Sequence, residues 1–304
     1  MKVSVIICTY NRDRHIGRAL ESLISQKASP QDFEIIVIDN NSTDGTADIL
    51  REFQNKYGRE FNIKVAKESR QGLSFARNRG IELASGEIIS FIDDDAIAAP
   101  DFIGNIIKNM HKFPGYLAFG GKVLPKYEDG TEPAWMSPYI ERIISVVDMG
   151  NEYKEFKKTY PVGCNMLFRK EIFDKVGKFN TRLRLRSDDK YIFLKIKEAG
   201  FPVLYLPDVV VQHFIDSFRT GMDYIKKVSK LNGKSEYIRI DTLNKNKNLK
   251  KFLRLTDYVA KLMASLILWG GYSLKGEGIK GKTLFISMWN QLNGFINHRD
   301  VKEY

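Results

Sequence analysis

Cysteine is nearly absent from this chain. Cys8 and Cys164 are the only two in 304 residues and both lie in apolar runs, which excludes a disulfide scaffold and reads as a pair of buried free thiols in a reducing compartment. Long apolar runs are missing too. The apolar run 3–8 is too short for an export signal and reads as a core strand, so the expectation is a cytoplasmic protein. Residues 255–274 approach membrane-spanning length but include Asp257 and Lys261. A spanning helix needs about 20 predominantly apolar residues, so this stretch reads as a core-packed helix or an interfacial one. The preceding Lys/Arg excess, Trp269 and Tyr272 support the interfacial reading. No glycine-rich phosphate fingerprint follows any strand-like run, which argues against a dinucleotide dehydrogenase or a P-loop NTPase. Acidic charge is scarce in one place. Between residues 219 and 261, twelve Lys/Arg face four Asp/Glu, supplying +8 of the net +11. Such an excess can meet anionic lipid, an acidic substrate or nucleic acid. It lies away from the candidate crevice and carries no nucleic-acid motif, so no nucleic-acid partner is expected.

What the chain does have is enough apolar content, 43%, for one large domain or a domain with an appendage. The first half alternates strand and helix signals. Residues 3–8 read as a strand covered on both faces. Ile16, Leu20, Leu23 and Ile24 then recur at helical spacing, with Asp13 available near the helix start. Residues 34–38 form a second strand, and the turn 39–45 can cap a helix carrying Ala47, Leu50 and Phe53. Strand 62–66, helix 71–84 and strand 87–92 follow, so the β-α-β repeat predicts an α/β fold with a parallel sheet and right-handed crossovers. A helix over 101–112, strands over 116–124 and 162–169, and a helix over 188–199 are expected. So are two short strands, 203–206 and 209–211, on either side of Pro207. Residues 125–160 read as a long irregular loop, of the kind that is often functional. Beyond His213 the chain reads as basic and helical.

The chemistry centres on Asp93-Asp94-Asp95, where an apolar strand ends in three carboxylates. Three adjacent carboxylates repel one another unless a cation or partner neutralises them. At the carboxyl end of a strand in an α/β sheet they lie where ligands bind, and oxygen ligands there suit Mg²⁺ or Mn²⁺. Thr9–Arg12 and Asp39 reach the same edge from the first two strands. A solvated turn is the competing reading of the triplet.

Four ordered motifs resemble family 2 glycosyltransferases: Val3-Ser4-Val5-Ile6-Ile7-Cys8-Thr9-Tyr10-Asn11-Arg12, Val37-Ile38-Asp39-Asn40-Asn41-Ser42-Thr43-Asp44-Gly45-Thr46, Gly72-Leu73-Ser74-Phe75-Ala76-Arg77-Asn78, and Asp93-Asp94-Asp95 in the place of that family's D-x-D. The resemblance covers about residues 1–215. It implies a GT-A fold: a Rossmann-like, mostly parallel sheet flanked by helices. It also implies a nucleotide-sugar donor, a divalent metal (Mn²⁺ or Mg²⁺) and inversion at the anomeric carbon. On this reading residues 1–215 form the catalytic domain, with a nucleotide-sugar half to about 115 and an acceptor half from 116. Residues 216–304 form a basic helical extension that can meet an anionic membrane at its cytoplasmic face.

Carried over by residue, Thr9, Tyr10, Asn11 and Arg12 would border the nucleoside. Asp39 would accept from the base, aptly a uracil imide; its alternative is an Asx-turn before residues 42–45. Arg77 and Asn78 would sit near the diphosphate or ribose, or else be helix-surface residues. Asp93 would reach the ribose and the metal, Asp95 the metal, and Asp94 the sugar. Asp189 would be the general base with Asp188 orienting the acceptor, where the family usually has Glu-Asp; both could instead simply favour a helix N-terminus. His213 would complete the metal shell or contact the diphosphate, or be structural. Gly163, Cys164 and Asn165 resemble the acceptor-side strand, and Trp135 is an acceptor-stacking ring or a packed core residue. The expected activity is sugar transfer, from a UDP-linked donor in the first instance, to a glycan or lipid-linked acceptor. The competing readings are a sugar-nucleotide nucleotidyltransferase, weakened by the lack of glycine between Thr9 and Gly17, and a non-catalytic binding module of the same fold.

Overall fold

The computed structural model describes residues 2–183, 186–243 and 246–298. The chain divides into two compact units. The first comprises Met1–Pro125, Ser145–Arg184 and Asp188–Phe214; the second comprises Lys126–Ile144, Leu185–Ser187 and Ile215–Tyr304.

In the first unit the apolar runs become the central strands. β1 (Val3–Thr9), β2 (Phe33–Asp39), β3 (Ile63–Lys67) and β4 (Ile88–Asp93) run parallel in the order β3-β2-β1-β4. Helices α1 (Ile16–Ile24), α2 (Thr46–Tyr57) and α3 (Leu73–Leu83) connect them. All of β2 is buried, as expected of a strand covered on both faces. The expected cap for α1 does not form. Its N-cap is His15, with no side-chain cap bond, and the Asp13 N–H donates to the Asp44 carboxylate instead.

Beyond β4 the sheet becomes mixed. β5 (Ala96–Ala98), α4 (Phe102–Lys112), β6 (Ala118–Tyr127), β7 (Lys154–Glu155) and β8 (Asn165–Arg169) precede α5 (Ile172–Val176), α6 (Asp188–Glu198) and β9 (Val203–Ile215). The strand order continues β4-β8-β6-β9-β5, with β7 also on β9. The β4–β8, β6–β8, β5–β9 and β7–β9 pairs are antiparallel. Two short strands about Pro207 were expected; β9 instead runs unbroken through it. Its paired positions to β7 are Leu204 and Tyr205 and to β5 are Val211–His213, so the missing proline N–H falls between these two registers.

In the second unit, the basic segment folds into α7 (Met222–Asp241), α8 (Lys247–Leu274) and α9 (Gly278–Ile296). α7 and α9 meet backbone to backbone through glycine. A Cβ on Gly233 would lie 2.0 Å from the Gln291 carbonyl oxygen, and one on Gly294 would lie 2.0 Å from that of Lys230. Ile240, Tyr258, Leu292 and Phe295 form the apolar centre.

Candidate active site

Register brings the first group of side chains together. Thr9 pairs with Asp39 across β1 and β2, and Cys8 pairs with Asp93 across β1 and β4. Three parallel strands thus end level, and the loops leaving them share one edge. Asn11, at φ 54°, accepts from the Thr43 N–H through Oδ1 at 2.8 Å and donates its own N–H to Ser42 Oγ at 3.0 Å. The Arg12 N–H donates to Thr46 Oγ1 at 2.9 Å. Tyr10 projects outward and is 47% exposed, whereas Thr9 is buried. Asp39 is buried, and its Oδ1 accepts from the Ser42 N–H at 2.9 Å. That is the Asx-turn, and it fixes the carboxylate at this edge.

The three aspartates differ in surroundings. Asp93 is partly open, and its Oδ1 lies 3.7 Å from Arg77 Nη2. Asp94 is buried 3.4 Å from Arg12 Nε. Burial, with the Asp95 charge adding, pushes its carboxyl up to about 7 against the pull of Arg12. Asp95 is buried, with Oδ1 3.1 Å from His213 Nε2. β5 pairs Ala96 with His213, and the Phe214 N–H donates to the Asp95 carbonyl at 2.8 Å, so the late strand delivers the imidazole to the triplet.

The lead-in to the antiparallel strand β8 adds Cys164, from the Gly163-Cys164-Asn165 segment. Ile92 pairs with Asn165, so one step further Asp93 faces Cys164. A carboxylate oxygen of Asp93, the sulfur of Cys164 and a ring nitrogen of His213 lie within 4.8 Å of one another. Oxygen, nitrogen and sulfur donors at that spacing fit one divalent cation. Asn165 is fully buried and donates its amide to the carbonyls of Lys122 and Val209 at 3.1 and 2.9 Å. It braces three strands.

Arg77, on α3, is 3% exposed and is the hub beneath the edge. It ion-pairs with Asp188 and lies over the rings of Phe91 and Phe179 at 5.8 and 5.4 Å. Burial alone would lower its proton affinity, but the Asp188 and Asp93 carboxylates outweigh that and hold it charged. A Cβ on Gly163 would lie 2.4 Å from Arg77 Nη2, so glycine there makes room for the guanidinium. Neighbouring Asn78 is tied to the Phe179 backbone in both directions, at 2.9 and 3.0 Å.

Asp188 and Asp189 open α6, after Ser187 at φ 66°. Asp188 is 2% exposed and committed to Arg77. Burial pushes its carboxyl up against the pull of Arg77, with Asp189 adding to the rise. Asp189 is half-buried; it accepts from the Gly163 N–H through Oδ2 at 3.1 Å and from the Lys190 N–H through Oδ1 at 2.6 Å. Of the pair, only Asp189 has surface open to an incoming hydroxyl. Trp135 belongs to the second unit, where it is buried and donates its indole N–H to the Thr220 carbonyl at 2.8 Å.

The comparisons with known proteins bear on the family and the fold. A family model described as "Glycosyl transferase family 2" matches residues 4–177. The glucosyl-dolichyl phosphate glucuronosyltransferase of Haloferax volcanii is 28% identical over 238 residues, covering 74% of this chain and 73% of its own. The mannosyltransferase PcManGT from Pyrobaculum calidifontis, solved with GDP-Man and Mn²⁺, superposes with TM-score 0.65 at 19% identity, over 96% of this chain and 87% of its own. S. aureus TarS in complex with UDP-GlcNAc superposes with TM-score 0.53 at 16% identity, over 97% of this chain and 89% of its own. At these identities the two structures speak to the fold, which is GT-A.

Proposed function

Since the chain belongs to glycosyl transferase family 2, we propose that it is a metal-dependent inverting glycosyltransferase, moving a sugar from a UDP-linked donor to a hydroxyl of a lipid-linked or surface glycan. The observation that carries this reading is the division of labour among the carboxylates. Asp39 sits at the end of β2, Asp93 and Asp95 near His213, and Asp189 at the start of α6, bonded to the Gly163 N–H beside Cys164. The uracil assignment rests on Asp39 as an acceptor, supported by the UDP-GlcNAc complex of TarS; GDP-Man in PcManGT marks the competing donor class.

Thr9–Arg12 would border the nucleoside and Asp93 the ribose, with residues up to about 115 serving the donor and 116–215 the acceptor. A divalent cation held by Asp93, Asp95 and His213 would neutralise charge on the departing nucleoside diphosphate. Asp189 would take the proton of the acceptor hydroxyl as it attacks the opposite face of the sugar. The Gly163 N–H bond to Asp189 Oδ2 keeps that carboxylate oriented. Asp188, held on Arg77 away from solvent, would orient the acceptor only through its neighbour Asp189.

A lipid-linked acceptor is supported by the dolichyl-phosphate substrate in the Haloferax relative's name. No helix among the described residues is long and apolar enough to cross a membrane. α8 nevertheless presents an outward stripe of Phe252, Met263, Ile267 and Leu274, with Ile267 78% exposed. Lys247, Lys250, Lys251 and Arg254 crowd its first turns. Apolar side chains beside lysines suit the anionic interface of a membrane, and we place the enzyme peripherally at the cytoplasmic face. Thermal-shift titration with UDP, GDP and their sugars, with and without Mn²⁺, tests the donor assignment. UDP-selective stabilisation that requires Mn²⁺ is expected; indifference to every nucleotide would overturn it.

A further inference from the structure

We infer that Cys164 is a ligand of the cation site, making it a mixed oxygen–nitrogen–sulfur site that accepts thiophilic divalent ions such as Co²⁺, Zn²⁺ or Cd²⁺. This rests on the reading above that Asp93, Asp95 and His213 hold a cation. Three strands from distant parts of the chain converge here: the end of β4, the lead-in to β8 and the end of β9. Their donors, one oxygen, one sulfur and one nitrogen, lie within 4.8 Å of one another. Ligand bonds of about 2.0–2.3 Å to a single ion ask little more than small rotations of these side chains.

Cys164 is fully buried and His213 nearly so, while Asp93 is partly open. An ion would therefore reach the sulfur from the open side. Sites built from carboxylates alone suit Mg²⁺ and Mn²⁺; adding thiolate and imidazole shifts preference toward softer ions. When the sulfur coordinates, its proton leaves to solvent, one per ion bound, and no electron is transferred. Cys8 provides a control, because its backbone faces Asp93 from the opposite strand but its sulfur is outside the cluster.

Anaerobic Co²⁺ titration of the full chain tests this, with bound Co²⁺ counted by equilibrium dialysis and thiolate ligation read from the near-ultraviolet sulfur-to-cobalt charge-transfer band. Wild type and Cys8→Ser should develop the band in step with one bound Co²⁺. Cys164→Ser and Cys164→Ala, checked for native circular dichroism, should still bind Co²⁺ but lose the band, and weaken for Cd²⁺ by about 10-fold or more. Wild type binding Co²⁺ without the band, or Cys164→Ala retaining it, overturns the sulfur assignment alone. No stoichiometric Co²⁺ binding, or binding unaffected by Asp93→Asn and His213→Ala, overturns the cation reading and the inference with it.

Discussion

At Asp188 and Asp189, two adjacent carboxylates are separated by their surroundings. Asp188 is buried on Arg77, while Asp189 stays partly open with both oxygens held by backbone N–H groups. Asp189→Asn should therefore retain donor binding and lower transfer about 10²–10⁴-fold, measured as kcat against donor Kd. Arg77→Met should act through stability. Removing one partner of a buried pair costs about 3–5 kcal/mol, read from urea midpoints, and Asp188→Asn in the same chain should restore part of it. The sequence exposed the acidic motifs but not this arrangement. Arg77 was expected near the donor or on a helix surface; burial among Phe91, Phe179 and two carboxylates depends on packing that no local spacing encodes. Cys164 reads from sequence as an apolar-run cysteine within the acceptor-side segment, because its neighbour Asp93 arrives by strand pairing from far away in the chain. Glu34 makes a pH prediction. Burial would raise its carboxyl, but Lys64, Ser4 and Ser85 together hold it down at about 2 from 4.5. Its folded value is depressed, so its contribution, about 3 kcal/mol, is complete above pH 4.5. It is lost as pH falls toward 2. Glu34→Gln should flatten the stability–pH curve over that window; an unchanged curve would contradict the assignment.

Among the elements, parallel strands and amphipathic helices were legible because each pattern is local. Residues 3–8, 34–38 and 87–92 are apolar-rich runs and form β1, β2 and β4 with ends shifted by a residue or so. β5 is three residues long beside the aspartates, too short to show a period. β9 looked broken because Pro207 cannot donate a hydrogen bond, yet flanking registers on β7 and β5 carry the strand across it. In the second unit, Gly233→Ala or Gly294→Ala would push a methyl into a facing carbonyl. Each should destabilise by at least about 1–3 kcal/mol, the usual cost of overpacking, visible as a lowered Tm. On α8, Ile267→Glu falls on an exposed residue and should leave Tm unchanged while abolishing sedimentation with anionic liposomes at low salt. Binding that survives the substitution would remove the interfacial role and leave α8 as a packed helix.

For the whole molecule, the strand order shows how distant sequence becomes one chemistry. β1, β2 and β4 deliver Thr9, Asp39 and the aspartates by parallel register, and the lead-in to β8 and the end of β9 return antiparallel to add Cys164 and His213. The α/β class and the family motifs were readable in the first half of the chain; the mixed half of the sheet was not, since its pairings join residues far apart in sequence. Inverting transfer with Asp189 as base makes a direct prediction about the product. It is tested most directly by NMR assignment of the anomeric configuration of product formed from α-linked UDP-sugars, Mn²⁺ and a polyprenyl-phosphate-linked sugar acceptor. The expected result is a β-linked product from wild type and almost none from Asp189→Asn; an α-linked product, or undiminished transfer by Asp189→Asn, would contradict it.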